Sequence, residues 1–122
     1  MELAGQFQIQ DWQEQAIESS SEKLSQAKVK QSYKGALSGT SEVRYQLYYH
    51  PEGDAHFNGF EVITLTSPHQ GGVLVLAHQG QFKQGVASSQ FVVKYCSFDD
   101  SWVGKEGSFI STSHGRAEFE MS

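Results

Sequence analysis

Residues Ala55–Phe82 read AHFNGFEVITLTSPHQGGVLVLAHQGQF, two alternating runs on either side of Ser67-Pro68-His69-Gln70-Gly71-Gly72. Alternation bounded by Pro and Gly marks a β-hairpin. A symmetric turn sets Thr66 opposite Val73. Counting back, it places Leu65 opposite Leu74, Ile63 opposite Leu76, Glu61 opposite His78, Gly59 opposite Gly80 and Phe57 opposite Phe82. Side chains alternate with period two along a strand, so all of these share one face. That face is apolar apart from one carboxylate and one imidazole set against each other.

The neighbouring segments extend the same face. Upstream, Leu37–Tyr49 reads as a long strand with Leu37, Val43, Tyr45, Leu47 and Tyr49 inward. The turn His50-Pro51-Glu52-Gly53-Asp54 joins it to the hairpin. Pro presets φ and Gly takes the left-handed position, as in a type I turn closed by a glycine bulge. This register puts Leu47 opposite Phe57, Tyr45 opposite Gly59 and Val43 opposite Glu61. Two separately placed turns thus agree on which face of Ala55–Thr66 is inside, and an aromatic ring across a strand glycine is itself stabilising. Downstream, a two-residue turn at Gln84-Gly85 brings Ala87, Ser89, Phe91, Val93 and Tyr95 onto the face, with Phe91 beside His78. The alternative register buries Lys94 and exposes Phe91, which burial energetics disfavour.

Leu3–Asp11 reads as a strand with Gly5, Phe7 and Ile9 on one face, and Leu24–Tyr33 as another with Ala27, Val29, Gln31 and Tyr33 inward. Trp12–Lys23 is expected to be a long loop, and Ser97–Lys105 a loop holding Trp102. Gly107–Ser113 and Ala117–Met121 form a last hairpin around His114-Gly115. About eight antiparallel strands, no certain helix and an unbroken inward face describe an all-β chain. It is a single domain over 1–122, most simply a small closed β-barrel without exposed edges, with a two-sheet sandwich as the alternative.

Composition narrows the function classes. The chain has 122 residues and a net charge of −5, with nine scattered basic residues. A duplex binder normally carries a basic stripe, so no nucleic-acid partner is expected. No apolar run approaches the ~20 residues of a membrane-spanning helix, so no membrane partner is expected either. The start, Met1-Glu2-Leu3-Ala4-Gly5, shows no signal-peptide pattern, and the single cysteine, Cys96, fits a reducing, cytoplasmic setting as a packed thiol. No P-loop, G-x-S-x-G or dinucleotide fingerprint is present, and no cofactor is expected. His50, His56, His69, His78 and His114 show no HxH or HxxxH spacing, which gives no metal site.

One ordered pattern runs through the chain: Gly5-x-Phe7, Trp12-x-Glu14, Tyr33-x-Gly35-x-Leu37-x-Gly39, Pro51-x-Gly53-x-Ala55-x-Phe57-x-Gly59-x-Glu61 and Leu76-x-His78-x-Gly80-x-Phe82. It resembles a bacterial family known as a domain of unknown function, whose members are similar in fold to allene oxide cyclase, a small antiparallel β-barrel. The resemblance covers nearly the whole chain and weakens after Tyr95, where the tail is shorter and poorer in glycine. It implies a barrel able to enclose an apolar ligand with a few polar groups, and places Trp12 and Glu14 near a barrel mouth. Cyclase activity follows only by analogy of fold.

The candidate site is Glu61 and His78, with Tyr45, Gln31 and Tyr95 as further polar groups, Phe91 beside the imidazole, and Trp12 at a barrel end. A buried acid and imidazole can share a proton or form a bonded ion pair. That permits three readings. The first is a barrel that binds a small, mostly apolar ligand with this pair as anchor. The second is an isomerase or cyclase in which the pair moves a proton. The third is a self-associating barrel with no ligand, in which the pair only fixes strand register. The small interior residues Gly39, Ser41, Gly59, Gly80 and Ser89 favour a cavity. The outward residues Phe60, Val62, Val73, Val75 and Ala77 are apolar for a wet surface and suggest a homo-oligomer, most simply a two-fold dimer.

Overall fold

The computed structural model describes residues 2–17 and 23–122. Eight strands follow in order: β1 (Leu3–Ala16), β2 (Leu24–Gly35), β3 (Ser38–Tyr49), β4 (Ala55–Ser67), β5 (Val73–Lys83), β6 (Val86–Cys96), β7 (Glu106–Ser111) and β8 (Arg116–Met121). Each pairs antiparallel with the next, and β1 pairs with β8 from Leu3↔Met121 to Gln8↔Arg116, so the sheet closes into an up-and-down barrel. Closure leaves no edge, so the sandwich alternative does not apply. The only helical turn among the described residues is a 3₁₀ turn, Asp100–Trp102, capped by the Asp99 carboxylate on Ser101 N.

The inward faces of β2, β3 and β4 are those expected. Ala27, Val29, Gln31 and Tyr33 are buried on β2; Val43, Tyr45 and Leu47 on β3; Phe57, Glu61, Ile63 and Leu65 on β4. The β3–β4 register also holds, with Leu47↔Phe57, Tyr45↔Gly59 and Val43↔Glu61.

Three expectations are corrected, each by a local irregularity. The β4–β5 ladder runs two residues away from the symmetric-turn register: Glu61 pairs with Leu76, His78 with Gly59, and Phe57 with Gly80. Leu65 is drawn into the turn, where its N–H donates to Gly72 O at 2.8 Å and its carbonyl accepts from Gly71 N at 2.8 Å. A two-residue slip preserves the face, so every inward residue stays inward.

The Trp12–Lys23 loop is corrected over its first part, because β1 continues to Ala16. Its pairing skips Gln10, from Ile9↔Gln31 to Asp11↔Lys30. That bulge switches the inward parity from odd to even and brings Trp12 and Glu14 level with Val29 and Ala27. The Ser19-Ser20-Ser21 part of that loop lies outside the described residues.

A second bulge, between Val75↔Tyr95 and Leu76↔Val93, turns Tyr95 outward to 51% exposure and Cys96 inward. Tyr95 is therefore not an interior hydrogen-bonding group.

The two ends of the barrel differ. At the end carrying the β2–β3, β4–β5 and β6–β7 connections, Leu37, Leu65, Leu74 and Trp102 are buried in the common core. At the opposite end, among the described residues, the walls stand open. The small interior residues do not create that opening. Phe57 Cζ lies 2.6 Å from where a Gly80 Cβ would stand, and Phe91 Cζ 2.4 Å from a Gly107 Cβ, so aromatic rings fill the room the glycines leave.

Candidate functional site

Five strands set polar side chains at one level inside the barrel: Gln31 and Tyr33 from β2, Ser41 from β3, Glu61 from β4, His78 from β5 and Ser89 from β6. Glu61 and His78 are diagonal neighbours across the slipped ladder, within reach for two long side chains. His78 Nε2 lies 2.6 Å from Glu61 Oε1. The other carboxylate oxygen, Oε2, accepts from Tyr33 Oη at 2.6 Å and from Gln31 Nε2 at 3.0 Å. Gln31 Nε2 also reaches Ser41 Oγ at 3.4 Å.

The partners of Glu61 suit an ionised acid. Three donors converge on Glu61, an arrangement suited to an ionised carboxylate. Burial alone would raise its pKa. The hydrogen bond and charge of His78, then the hydroxyls of Tyr33 and Ser41, outweigh burial and hold the carboxyl below its ordinary value. Burial and then the Glu61 charge push the phenols of Tyr33 and Tyr45 well above theirs.

On the far side of the imidazole, Nδ1 lies 3.1 Å from Ser89 Oγ, which is itself 3.3 Å from Gln79 O and 3.2 Å from Gln90 O. Ser89 has one proton. Given to a carbonyl, it leaves the oxygen free to accept from Nδ1–H; given to Nδ1, it satisfies a neutral ring. The cluster therefore accommodates His78 with or without its second proton.

This cluster is closed to solvent. Glu61 is 1% and His78 4% exposed. The void beside His78, bounded by Tyr33, Phe91 and Phe109, holds about 10 Å³. A single water needs roughly 10–15 Å³, so no substrate fits there. Phe91, 5.2 Å from the His78 ring centre to centre, packs this layer.

Among the described residues, the open space lies at the end opposite the plug of Leu37 and Trp102. A cavity of about 400 Å³ has Gln31, Tyr45, Phe7 and Phe109 among its lining residues, with Trp12, Tyr49, Phe57 and Ala87 further around it. Of the predicted site residues, Gln31, Tyr45 and Trp12 line it, whereas Glu61, His78 and Phe91 do not. Gln31 belongs to both layers and links the cavity to Glu61. Two wider depressions of about 800 and 730 Å³ are lined mostly by strand residues on the outer wall, among them Gln79, Gln90 and Lys94 in one, Gln26, Arg44 and Asn58 in the other. His78 borders both, yet its side chain is 2% exposed, so it presents backbone to them.

A second polar knot, which sequence reasoning did not find, braces the cavity rim. Glu14 Oε2 accepts from Ser25 Oγ and Tyr49 Oη, each at 2.5 Å, and Oε1 accepts from Trp12 Nε1 at 3.0 Å. It joins β1, β2 and β3 and fixes the Trp12 indole, whose ring centre stands 6.4 Å from that of Tyr45. Burial raises the Glu14 carboxyl, but the hydroxyls of Ser25 and Tyr49 and the indole together bring it below its ordinary value. The Tyr49 phenol is pushed up to about 12 by burial and then by Glu14. Sequence reasoning also left out Tyr33 as a partner of the acid. Its inward parity beside Gln31 was the available signal.

A family model described as a protein of unknown function, DUF3224, matches residues 3–121. The chain belongs to the DUF3224 family. A crystal structure of a DUF3224 protein of unknown function from Shewanella oneidensis MR-1 superposes with a TM-score of 0.73 at 19% identity, over 100% of this chain and 94% of that one. At this identity the likeness speaks to the shared barrel alone. No curated protein matches the chain. DUF3224 membership agrees with the resemblance carried by the glycine–aromatic pattern, and the closed eight-stranded barrel is consistent with the cyclase-like shape it implied. Among the described residues, no helix is long and apolar enough to cross a membrane.

Proposed function

We infer that this DUF3224 barrel is a cytoplasmic binding protein for a small, mostly apolar molecule held in the cavity at the open end. The observation that carries this reading is the contrast between layers. The barrel is packed tight around Glu61–His78, yet keeps about 400 Å³ of largely apolar space above Gln31 and Tyr45. That volume lies in the ordinary range of ligand sites, roughly 300–1,000 Å³, and a few convergent polar groups in an apolar wall are their common character.

In this reading Glu61 and His78 act through Gln31 and do not touch the ligand. The proton-shuttle alternative has no support in the geometry, because neither group borders the cavity. The outward face adds a partner. Phe60 is 61% exposed, and Val62 and Tyr95 flank the half-buried Val75 and Ala77 on β4–β6. A second copy of the barrel covers this face in a two-fold dimer.

Native mass spectrometry of protein isolated from cells tests the binding reading. A small molecule should co-purify, be released on unfolding, and be lost in Ala87→Phe, which fills the cavity from a half-buried wall position. Protein of bare mass, or a bound mass indifferent to Ala87→Phe, contradicts it.

A further inference from the structure

We propose that the cavity selects a neutral aromatic molecule bearing a hydroxyl, a phenol or aryl alcohol, whose O–H donates to Gln31 Oε1 and whose oxygen accepts from Tyr45 Oη. The inference rests on the cavity being a ligand site and adds the chemistry of the ligand.

The orientation of the Gln31 amide decides the first half. An ionised carboxylate only accepts, so the amide end 3.0 Å from Glu61 Oε2 is the NH₂ end. The carbonyl oxygen, Oε1, is therefore the other end of the amide. Among the described residues no group donates to it, and none bonds Tyr45 Oη. Yet Gln31 is 3% and Tyr45 6% exposed. No enclosed side-chain N or O among the described residues lacks a hydrogen-bond partner. These two atoms must therefore open onto free space, and the space both residues line is the cavity. The cavity lining thus offers one acceptor, Gln31 Oε1, and one hydroxyl, Tyr45 Oη.

The complement of that lining is a single O–H. It donates once and accepts once, and both atoms are satisfied. A carboxylate meets Gln31 Oε1 with no proton to give, and stands close to the Glu61 charge behind it. An ammonium brings three donors to two acceptors and leaves one N–H bare in an apolar space. An ether or ketone accepts from Tyr45 and leaves Gln31 Oε1 unpaired. The rings of Phe7, Tyr45, Phe57, Phe109 and Trp12 among the lining residues supply faces and edges suited to an aromatic body.

The test is calorimetric titration of the full chain at pH 7 with four ligands of one size: 2-naphthol, 2-methoxynaphthalene, 2-naphthoate and 2-naphthylmethylamine. The expected result is 2-naphthol at least tenfold tighter than each of the others, about 1.4 kcal/mol, the scale of one hydrogen bond made against one buried group left unpaired. Tyr45→Phe removes only an oxygen that no described residue bonds, and should weaken 2-naphthol and 2-methoxynaphthalene by a similar factor, because both accept from it. Gln31→Met removes the acceptor that only the hydroxyl satisfies, and should erase most of the preference of 2-naphthol over 2-methoxynaphthalene. If any of the other three equals 2-naphthol, or if Gln31→Met keeps the preference, the hydroxyl assignment is wrong while the cavity reading stands. If none of the four binds, the cavity reading falls and the assignment with it.

Discussion

Replacing Glu61 by Leu removes the group on which the interior polar layer converges. Leu fills similar space, so the loss is one of hydrogen bonds more than of volume. Three donors lose their acceptor at once: His78 Nε2, Tyr33 Oη and Gln31 Nε2. Each buried donor left unpaired costs about 1–3 kcal/mol. Breaking a buried acid–base pair from one side costs about 3–5 kcal/mol, and the lower total is appropriate because the three donors share one acceptor.

Unfolding entropy near 2.1 cal/mol/K per residue comes to about 0.26 kcal/mol/K for 122 residues. The melting temperature should therefore fall by roughly 12–20 °C. Glu61→Gln is the control. Its amide oxygen can still accept from Tyr33 and Gln31, and its NH₂ can donate to Nε2 once Nδ1–H turns toward Ser89. Its loss should be about 1 kcal/mol, the worth of a single hydrogen bond. Thermal and urea denaturation followed by circular dichroism measure both. If Glu61→Leu lies within 1 kcal/mol of the parent, or is no worse than Glu61→Gln, the donor convergence does not hold the layer together and the reasoning is wrong.

Other outcomes follow from the same structure. The Glu61 carboxyl sits below its ordinary value of 4.5 when folded, so its contribution is present above about pH 4.5 and is lost as pH falls through the folded value; urea midpoints from pH 7 to pH 3 should decline less steeply in Glu61→Gln than in the parent. Gly80→Ala drives a methyl to 2.2 Å from Ser88 O and 2.6 Å from Phe57 Cζ, and should destabilise the barrel by about 1–3 kcal/mol, the usual range for overpacking, read by the same melts. The Tyr49 phenol, at about 12, should stay protonated to pH 11 in an absorbance titration, and Glu14→Gln should bring its ionisation down toward 10. Phe60→Lys should shift a dimer to monomer in sedimentation at micromolar concentration with no change in far-ultraviolet dichroism.

The sequence carried the barrel where turn chemistry and alternation agreed. Pro51 and Gly53 fix the β3–β4 register, and Gln84-Gly85 fixes the start of β5–β6, so Tyr45↔Gly59 and His78↔Phe91 are legible directly. Alternation fails at a bulge, because one inserted residue inverts the parity that the method counts. That hid Trp12 and Glu14 inside β1 and misplaced Tyr95. The β4–β5 slip stayed hidden for a different reason. Backbone bonds between Leu65 and Gly71-Gly72 are invisible to any side-chain pattern.

The acid and imidazole were found because a two-residue slip keeps their face and their reach. Their separation from the cavity was not legible. Phe7 and Phe109 border both the tight void beside His78 and the cavity, and ring packing of this kind is not encoded by strand parity. The Glu14–Tyr49–Ser25 knot was hidden too, since it joins three strands at positions 11 and 35 residues apart.

The most direct check on ligand placement is one nuclear magnetic resonance titration with 2-naphthol that follows the Trp12 indole N–H, the Gln31 side-chain amide and the backbone amides of Gln90 and Lys94. Saturable shifts at Trp12 and Gln31, with Gln90 and Lys94 unmoved, are the predicted result. Shifts confined to the outer furrow, or none at any of the four, would contradict it.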